Sequence, residues 1–180
     1  YSYDFAKNKF GLSTMIEEYV DSSGVVHSDN NYAPLAMGAQ TWGVTVRDMA
    51  SAFATYANNG IHREGRTFTK VFDSNGNLVL DNTQKSEQIL SKKSVDYMNY
   101  CLVNATANGT GATADFSGHT VAGKTGSTSD TKDKWFVGYT PYYAASVWVG
   151  YDEQKTISVG GEISKQIFKK VMDIIHKDLP

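Results

Sequence analysis

The residues best suited to chemistry lie in one short stretch, residues 118–128, which reads GHTVAGKTGST. This stretch combines one lysine, several hydroxyl side chains and three glycines. A lysine beside hydroxyl groups can bind a carboxylate and can stabilise negative charge that develops on an acyl oxygen. These residues do not supply a nucleophile of their own. They therefore predict recognition of an anionic, acyl-bearing substrate.

Residues 118–125 also fit the pattern G-x-x-x-x-G-K-[ST], in which backbone N–H groups and a lysine hold nucleotide phosphates. That loop has to follow a buried strand and open a helix, whose N-terminus faces the anion. Residues 110–117 lack the apolar density of a buried strand, and residues 126–130 have the composition of a turn. A nucleotide-binding protein is therefore the alternative that the context disfavours.

The other interpretation makes residues 119–124 a β-strand, because β-branched residues stand at its centre. The two-residue period of a strand would place Lys124 and Gly126 on one face, and Thr125 and Ser127 on the other. Gly126 has no side chain, so a substrate backbone can lie flat against the strand there. A plain surface turn after an ordinary strand is the simpler alternative.

Composition limits the class of protein. A chain of 180 residues, 41% hydrophobic with a formal charge of -2, has the size and balance of one globular core and implies no nucleic-acid partner. It contains neither an apolar run long enough to span a membrane nor a signal-peptide pattern. Cys101 is the single cysteine, which excludes an internal disulfide and a multi-cysteine metal site.

Hydrophobic periodicity predicts three main helices and two minor helical segments. The clearest helix begins at Thr45, whose spacing to Asp48 resembles a capping box, and it ends at residues 58–60. Another runs from Ser91 to about residue 109, with Cys101 on its apolar stripe and therefore predicted to be buried. Residues 1–10 and 13–20 read as short helical segments. The C-terminal helix is expected to cover a sheet with an apolar face made of Ile163, Ile167, Val171, Ile174 and Ile175.

The predicted strands are short and closely connected. Residues 67–72 and 78–80 form a hairpin around an Asn-Gly turn. Residues 135–139 and 143–151 follow the strand of residues 119–124 with short connections, which predicts an antiparallel sheet. The fold class is therefore α+β, with helices covering that sheet.

The remaining histidine and acidic residues are poor candidates for catalysis or metal binding. The four histidines, His27, His62, His119 and His176, are far apart and lack metal-ligand spacing, so each is interpreted as a surface or structural residue. Asp152 and Glu153 at a strand end are interpreted as a solvated turn. No Ser/His/Asp set can be assembled, and we expect neither a metal nor a cofactor.

The residues around Lys124, Thr125 and Gly126 carry a resemblance to a known family. Residues 133–141 and 147–152, together with a Gly-Thr-Gly at residues 109–111 and residues 35–60, follow the family's order. The chain resembles the C-terminal half of the transpeptidase domain of a class A penicillin-binding protein. The resemblance implies a partial penicillin-binding, serine β-lactamase-like fold.

That family uses S-x-x-K, S-x-N and K-T-G motifs in this order. The resemblance implies that Lys124 adds positive potential, that Thr125 and Ser127 bind the substrate carboxylate, and that the Ser127 N–H helps to form an oxyanion hole. The implied partners are peptidoglycan stem peptides ending in D-Ala-D-Ala, which a serine acylates and an amine then cross-links, and β-lactams that mimic them.

The first two motifs occur only in unsuitable places. Residues 28–30 spell Ser-Asp-Asn but lie in a polar loop, and residues 129–132 spell S-x-x-K after the K-T-G motif. In the family the nucleophile projects from a helix N-terminus, with its lysine one turn further on. Both copies are therefore interpreted as coincidences.

These considerations predict that residues 1–180 are the C-terminal portion of one transpeptidase domain. The upstream part of that domain would carry S-x-x-K and S-x-N, and a membrane anchor further upstream would hold the protein at the extracytoplasmic face of the bacterial membrane. The alternatives are a homologue that binds wall fragments or penicillin without turnover, and a soluble β-lactamase.

Overall fold

The computed structural model describes residues 1–180, which divide into two compact units. One unit contains Tyr1–Ala52 and Ile61–Ile89, and the other contains Phe53–Gly60 and Leu90–Pro180. The helices are α1 (Ser2–Asp4, continued as a π-helix over Phe5–Lys9), α2 (Tyr32–Met37), α3 (Val46–Ala57), α4 (Lys92–Ala107) and α5 (Ile163–Ile175). The strands are β1 (Tyr19–Val20), β2 (Val26–His27), β3 (Ile61–Arg63), β4 (Lys70–Phe72), β5 (Leu78–Asp81), β6 (Ser86–Gln88), β7 (Ala122–Ser127), β8 (Lys134–Tyr139) and β9 (Ala144–Val149). None of the helices combines the length and apolar character needed to traverse a bilayer.

The first unit holds three antiparallel strand pairs, β1 with β2, β3 with β6, and β4 with β5. The predicted hairpin of residues 67–72 and 78–80 is confirmed as β4 and β5, with Gly76 of the turn at a φ of 82°. The β3–β6 pair was not predicted, because its strands are three residues each and carry no regular apolar alternation.

The predicted helical turn over residues 13–20 is wrong. This segment forms turns and then enters β1. The Ser13 N–H donates to the Asp48 carboxylate at 3.1 Å, and the Ile16 N–H donates to the Asp29 carboxylate at 2.9 Å. Because these distant carboxylates satisfy the backbone donors, the segment does not need helical hydrogen bonds.

The helix predicted from Thr45 is confirmed as α3. The Thr45 hydroxyl accepts the Asp48 N–H at 3.0 Å, as an N-terminal cap does. The Asp48 carboxylate accepts hydrogen bonds from the Ser13 hydroxyl and N–H instead of returning to Thr45. At the other end of α3, Asn59 and Gly60 take φ values of 54° and 86°, which stop the helix as predicted.

The predicted antiparallel sheet is confirmed in the second unit, with strand order β7-β8-β9. The first strand covers Ala122–Ser127 rather than residues 119–124. Pairing with β8 starts at Ala122, opposite Tyr139, and continues to Ser127, opposite Lys134. Lys124 and Thr125 therefore lie inside the strand, because the extent of β8 rather than the local β-propensity sets its limits.

Helix α5 covers this sheet as predicted, but with a different face. Phe168 and Met172 are fully buried and pack with Phe136 of β8 in a core that also contains Ala114, Phe116 and Val121. Of the predicted apolar face, Ile167, Val171, Ile174 and Ile175 are exposed. Buried positions of α5 also include Ser164 and Lys165, so the contacting face was not the most apolar one.

Helix α4 packs beside β7, and the expectation that Cys101 is buried is wrong. Cys101 is exposed, whereas Val95, Leu102 and Thr106 form the buried side of the helix. Leu102 packs with Ala122 and Tyr139 of the sheet. The face of α4 that β7 covers is thus rotated from the apolar stripe that the sequence suggested.

We expect Phe168→Ala to lower the free energy of unfolding by about 3–5 kcal/mol, because it leaves a cavity against the Phe136 ring, whose centroid is 4.7 Å away. Ile174→Ala is the matched control on the same helix, since Ile174 is 62% exposed and its loss should cost about 0.5 kcal/mol or less. Denaturant unfolding monitored by circular dichroism measures both. Equal losses for the two variants would contradict the assigned face of α5.

The stability of the first unit should depend on the charge of Asp48. Burial alone would raise the pKa of this carboxyl, but hydrogen bonds from the Ser13 hydroxyl and N–H outweigh it and hold the pKa below its usual value. Because the folded pKa is depressed, the stabilisation is present above the ordinary pKa of about 3.9 and is lost as the pH falls through the folded pKa.

We therefore expect Asp48→Asn to lower the free energy of unfolding by about 1–3 kcal/mol at pH 7, since it weakens charge-assisted hydrogen bonds. The difference from wild type should shrink as the pH is lowered below about 4. Asp152→Asn, in an exposed turn, is the control and should show no such convergence. Urea midpoints from pH 3 to pH 7 test the expectation, and a difference that is constant over that range would refute it.

Candidate functional site

The predicted site residues lie on β7, which is an edge strand because only β8 pairs with it. The Thr128 N–H donates to the Asp133 carbonyl at 3.3 Å, so Thr128 turns its backbone groups toward the β8 side. In an antiparallel ladder, alternate residues direct their N–H and C=O groups to opposite sides. The N–H of Ser127 and the carbonyl of Thr125 consequently point to the unpaired edge, where an extended ligand can approach.

Three side chains gather at this edge. The Lys124 ammonium lies 3.1 Å from the Thr125 carbonyl oxygen and 3.3 Å from the Thr125 hydroxyl. The Thr125 hydroxyl is also 3.0 Å from the hydroxyl of Thr110, which lies in the connection between α4 and β7. Lys124 and Thr110 are both exposed. One cation and two hydroxyl groups are therefore presented together to solvent, as an anion-binding group requires.

The strand alternation places Thr125 and Ser127 on the same face of the sheet. Gly126 lies between them, and a Cβ added there would come 3.2 Å from Trp135 Cβ on the neighbouring strand. At Gly123 an added Cβ would lie 2.8 Å from the Val137 carbonyl oxygen, so only glycine fits between the strands. The packing constraint is severe at Gly123 and mild at Gly126, so packing alone does not account for the glycine at 126.

Helix α4 holds the start of β7 in position. The buried Thr106 hydroxyl donates to the Val121 carbonyl, immediately before the strand. On β8, the Tyr139 hydroxyl donates to the Asn99 side chain at 2.5 Å. Burial, together with the neighbouring Tyr56, raises the pKa of Tyr139 far above its ordinary value, so this phenol stays neutral. The Tyr139 phenol therefore keeps the proton that it donates to Asn99 of α4.

The structure does not support the nucleotide-binding alternative. Lys124 and Thr125 lie within a strand, and residues 128–133 form a loop that leads to β8. A phosphate loop needs a helix that starts at this point, and none starts there.

The Ser-Asp-Asn sequence at residues 28–30 has a structural role. Asp29 is fully buried, and its carboxylate accepts the N–H of Ile16 at 2.9 Å and the N–H of Thr41 at 2.7 Å. The Ser28 hydroxyl donates to the Glu17 carbonyl. These side chains hold loops of the first unit together, in agreement with the interpretation that the motif is a coincidence.

The S-x-x-K sequence at residues 129–132 lies in the β7–β8 loop rather than at a helix N-terminus. Lys132 forms an ion pair with Asp130 at 3.5 Å, and Thr131 has a φ of 51°. A serine in this setting lacks a lysine one helical turn away, which a nucleophile of this kind requires. Its rejection as a catalytic motif stands.

The histidines have local partners, consistent with their interpretation as structural or surface residues. Buried His176 shares hydrogen bonds with the Thr140 hydroxyl and the Met172 carbonyl, both at 2.7 Å. The His119 ring lies 4.7 Å from that of His176, and His27 lies 2.9 Å from the Asp21 carboxylate. No group of three or more His, Cys, Asp or Glu residues is placed to hold a metal ion.

Sequence reasoning missed the contribution of α5 to this site. The ammonium of Lys165, which is only 7% exposed, donates to the Thr110 carbonyl at 2.8 Å. No local pattern signals this contact, because the two residues are 55 positions apart and Lys165 would ordinarily be assigned to the solvent face of a helix.

Comparison with known proteins identifies the family of the chain. The chain matches the family described as the penicillin binding protein transpeptidase domain over residues 3–173. It is 35% identical to penicillin-binding protein 1A of Clostridium acetobutylicum, over 96% of this chain and 22% of that protein. It is 32% identical to penicillin-binding protein 1F of Bacillus subtilis, over 92% of this chain and 24% of that protein. The chain thus spans about a quarter or less of the length of these relatives.

Solved structures show the same fold. PonA1 of Mycobacterium tuberculosis, in complex with penicillin V, superposes with a TM-score of 0.72 at 26% identity, over 97% of this chain and 49% of that one. Penicillin-binding protein A of the same organism, as an imipenem acyl-enzyme, gives a TM-score of 0.68 at 19% identity, over 96% of this chain and 41% of that one. With the family match over nearly its whole length, the chain belongs to the penicillin-binding protein transpeptidase domain family.

Proposed function

We propose that this chain is the C-terminal portion of the transpeptidase domain of a class A penicillin-binding protein, which cross-links peptidoglycan stem peptides. The observation that carries the proposal is the edge of β7, where the Lys124 ammonium lies 3.3 Å from the Thr125 hydroxyl. The Ser127 N–H points to the same edge. An extended peptide that ends in a carboxylate fits this combination of an unpaired strand edge, a cation and hydroxyl groups.

In the proposed reaction, a serine hydroxyl attacks the carbonyl carbon of the penultimate D-Ala. The peptide bond to the terminal D-Ala breaks, and that residue leaves as an amine that takes up a proton. An amine from a neighbouring stem peptide then attacks the acyl-serine ester, forms the cross-link and releases the serine hydroxyl. A β-lactam acylates the same serine by opening its ring, which leaves an ester that clears slowly.

Each residue of the β7 edge has a role in this scheme. The hydroxyls of Thr125 and Ser127, on one face of the strand, bind the terminal carboxylate. Lys124 adds positive potential to that carboxylate and to the nucleophile. Gly126 lets the substrate backbone lie close to the strand. The Ser127 N–H is one donor of the oxyanion hole, and loss of such a donor typically costs roughly 100- to 1000-fold in rate.

We place the nucleophile in the part of the relatives that this chain does not span. The chain covers 49% of the PonA1 chain and 41% of the penicillin-binding protein A chain, which is described as an acyl-enzyme. The S-x-x-K and S-x-N motifs of the family would lie in the remaining portion. Because the substrate is cell-wall peptide, the complete protein would act at the extracytoplasmic face of the membrane, held there by an upstream anchor.

Labelling with a fluorescent penicillin tests this assignment. We expect no covalent label on residues 1–180 alone, because the S-x-x-K sequence of these residues lies in a loop, where no lysine one helical turn away activates the serine hydroxyl. The same residues joined to the preceding part of their natural polypeptide should be labelled at a serine of that part. Denaturing gel fluorescence and peptide mapping locate the label.

Each other outcome has a distinct meaning. Label on residues 1–180 alone would contradict the placement of the nucleophile. The complete protein would be a wall-fragment binder if it bound penicillin reversibly, took no label and released no D-Ala from a peptide ending in D-Ala-D-Ala. It would be a β-lactamase if it took the label, hydrolysed penicillin rapidly and formed no cross-link.

In the complete protein, Ser127→Ala should lower the second-order rate constant of penicillin acylation about 10- to 100-fold, because a hydrogen bond to a charged group contributes about 1.5–3 kcal/mol. Lys124→Met should cause at least a similar loss. Lys70→Met, on the exposed β4 strand, is the matched control and should stay within about twofold of wild type. Stopped-flow acylation measures all three, and a normal rate for Ser127→Ala would rule out its role.

A further inference from the structure

The first half of the connection between α4 and β7 is held by a backbone hydrogen bond to α4 and by a short 3-10 turn. The Gly111 N–H donates to the Ala105 carbonyl of α4 at 2.9 Å, and residues Ala112–Ala114 form a turn of 3-10 helix. Ala114 is fully buried in the core beneath α5. Thr110 lies immediately before Gly111, and its hydroxyl is 3.0 Å from that of Thr125. The position of Thr110 thus determines one of the two side-chain contacts of the Thr125 hydroxyl, the other being with the Lys124 ammonium.

Charged side chains at the start of α5 form hydrogen bonds to this connection. The Lys165 ammonium donates to the Thr110 carbonyl at 2.8 Å and forms an ion pair with Glu162. The Glu162 carboxylate also accepts the hydroxyl of Thr113. Hydrogen bonds from Lys165 and Thr113 hold the pKa of Glu162 below its usual range, so this carboxylate is ionised at neutral pH.

Lys165 is placed unusually for a lysine. Its side chain is 9% exposed, whereas that of its partner Glu162 is 48% exposed. A buried ammonium has to be compensated, and the Thr110 carbonyl and the Glu162 carboxylate provide that compensation. Because the buried Lys165 side chain holds its ammonium against these two partners, it restricts the Thr110 backbone more strongly than an exposed lysine would.

The contacts form a continuous path from α5 to the proposed carboxylate-binding edge. It runs from the Lys165 ammonium to the Thr110 backbone, from the Thr110 hydroxyl to the Thr125 hydroxyl, and from there to the Lys124 ammonium 3.3 Å away. A hydroxyl that can rotate freely binds a carboxylate less well than one whose lone pairs and proton are already oriented.

We propose that Lys165 is a positioning residue: it fixes Thr110 so that the Thr110 hydroxyl orients the Thr125 hydroxyl toward the carboxylate of the substrate. The inference rests on the proposed function, and it adds Lys165 and Thr110 to the groups that determine how the carboxylate is recognised. Lys165 does not touch the substrate. Its effect is therefore specific to ligands that carry the carboxylate.

A merely structural ion pair makes a different prediction. If Lys165 only stabilised the fold, its loss would reduce the amount of folded protein and lower reaction with every ligand by the same factor. If Lys165 positions Thr125, its loss lowers reaction only with ligands whose carboxylate Thr125 binds. Comparing penicillin with its methyl ester separates these roles, because both have the same reactive ring and only the free acid carries the charge.

The experiment uses the complete protein and measures acylation by penicillin and by its methyl ester. We expect Lys165→Met to lower the rate constant with penicillin about 10- to 100-fold, the cost of a misplaced binding group, and to leave the smaller rate with the ester within about twofold of wild type. Lys169→Met, an exposed lysine one turn further along α5, is the control and should change neither rate by more than about twofold.

Variants of Thr110 test the same inference even if Lys165→Met does not fold. Thr110 is exposed, so Thr110→Val should fold and show the same selective loss with penicillin. Thr110→Ser keeps the hydroxyl and should restore most of the rate. The double variant of Lys165→Met and Thr110→Val should be no slower than the slower single variant, because both act through one hydroxyl.

Two results would overturn the inference while leaving the proposed function intact. One is a wild-type rate with penicillin for both Lys165→Met and Thr110→Val. The other is an equal loss with penicillin and with the ester. A wild-type protein that takes no label from penicillin would instead remove the proposed function, and the inference with it.

Discussion

The antiparallel pairing of β7 with β8 is the constraint on which the site depends. Because the Thr128 N–H donates to the carbonyl of Asp133, immediately before β8, the backbone groups of Ser127 and Thr125 are directed to the unpaired edge. Gly123 permits this register, since any larger residue would collide with the carbonyl of Val137. A shift of one residue would turn these groups toward β8 and move Thr125 to the other face.

Helices α4 and α5 stabilise the position of β7 in different ways. Helix α4 fixes its beginning through the Thr106 hydroxyl, and α5 covers β8 and β9 with Phe168 and Met172. Apolar packing supplies most of the cohesion but is not directional. The hydrogen bond from the Lys165 ammonium to the Thr110 carbonyl is directional, and the orienting role that we propose for Lys165 depends on it.

Buried charge plays a comparable role in the first unit. The carboxylate of Asp29 joins the segments around Ile16 and Thr41, and that of Asp48 joins α3 to Ser13. In each case, a carboxylate accepts hydrogen bonds from backbone N–H groups of a segment that lacks regular secondary structure. Such segments hold their shape because their donors are satisfied, even though their own sequences favour other conformations.

The existence and type of the main elements could be predicted from local sequence, because capping at Thr45, the Asn-Gly turn at residues 75–76 and apolar periodicity act over a few residues. The sequence also predicted the family, which the comparisons confirm, because motif order is a property of the chain alone, and it made the Lys124–Ser127 stretch the candidate site. The buried face of α5 and the contact of Lys165 with Thr110, 55 residues away, became visible only in the folded chain. Burial and hydrogen bonding depend on what lies opposite a side chain, and local sequence does not contain that information.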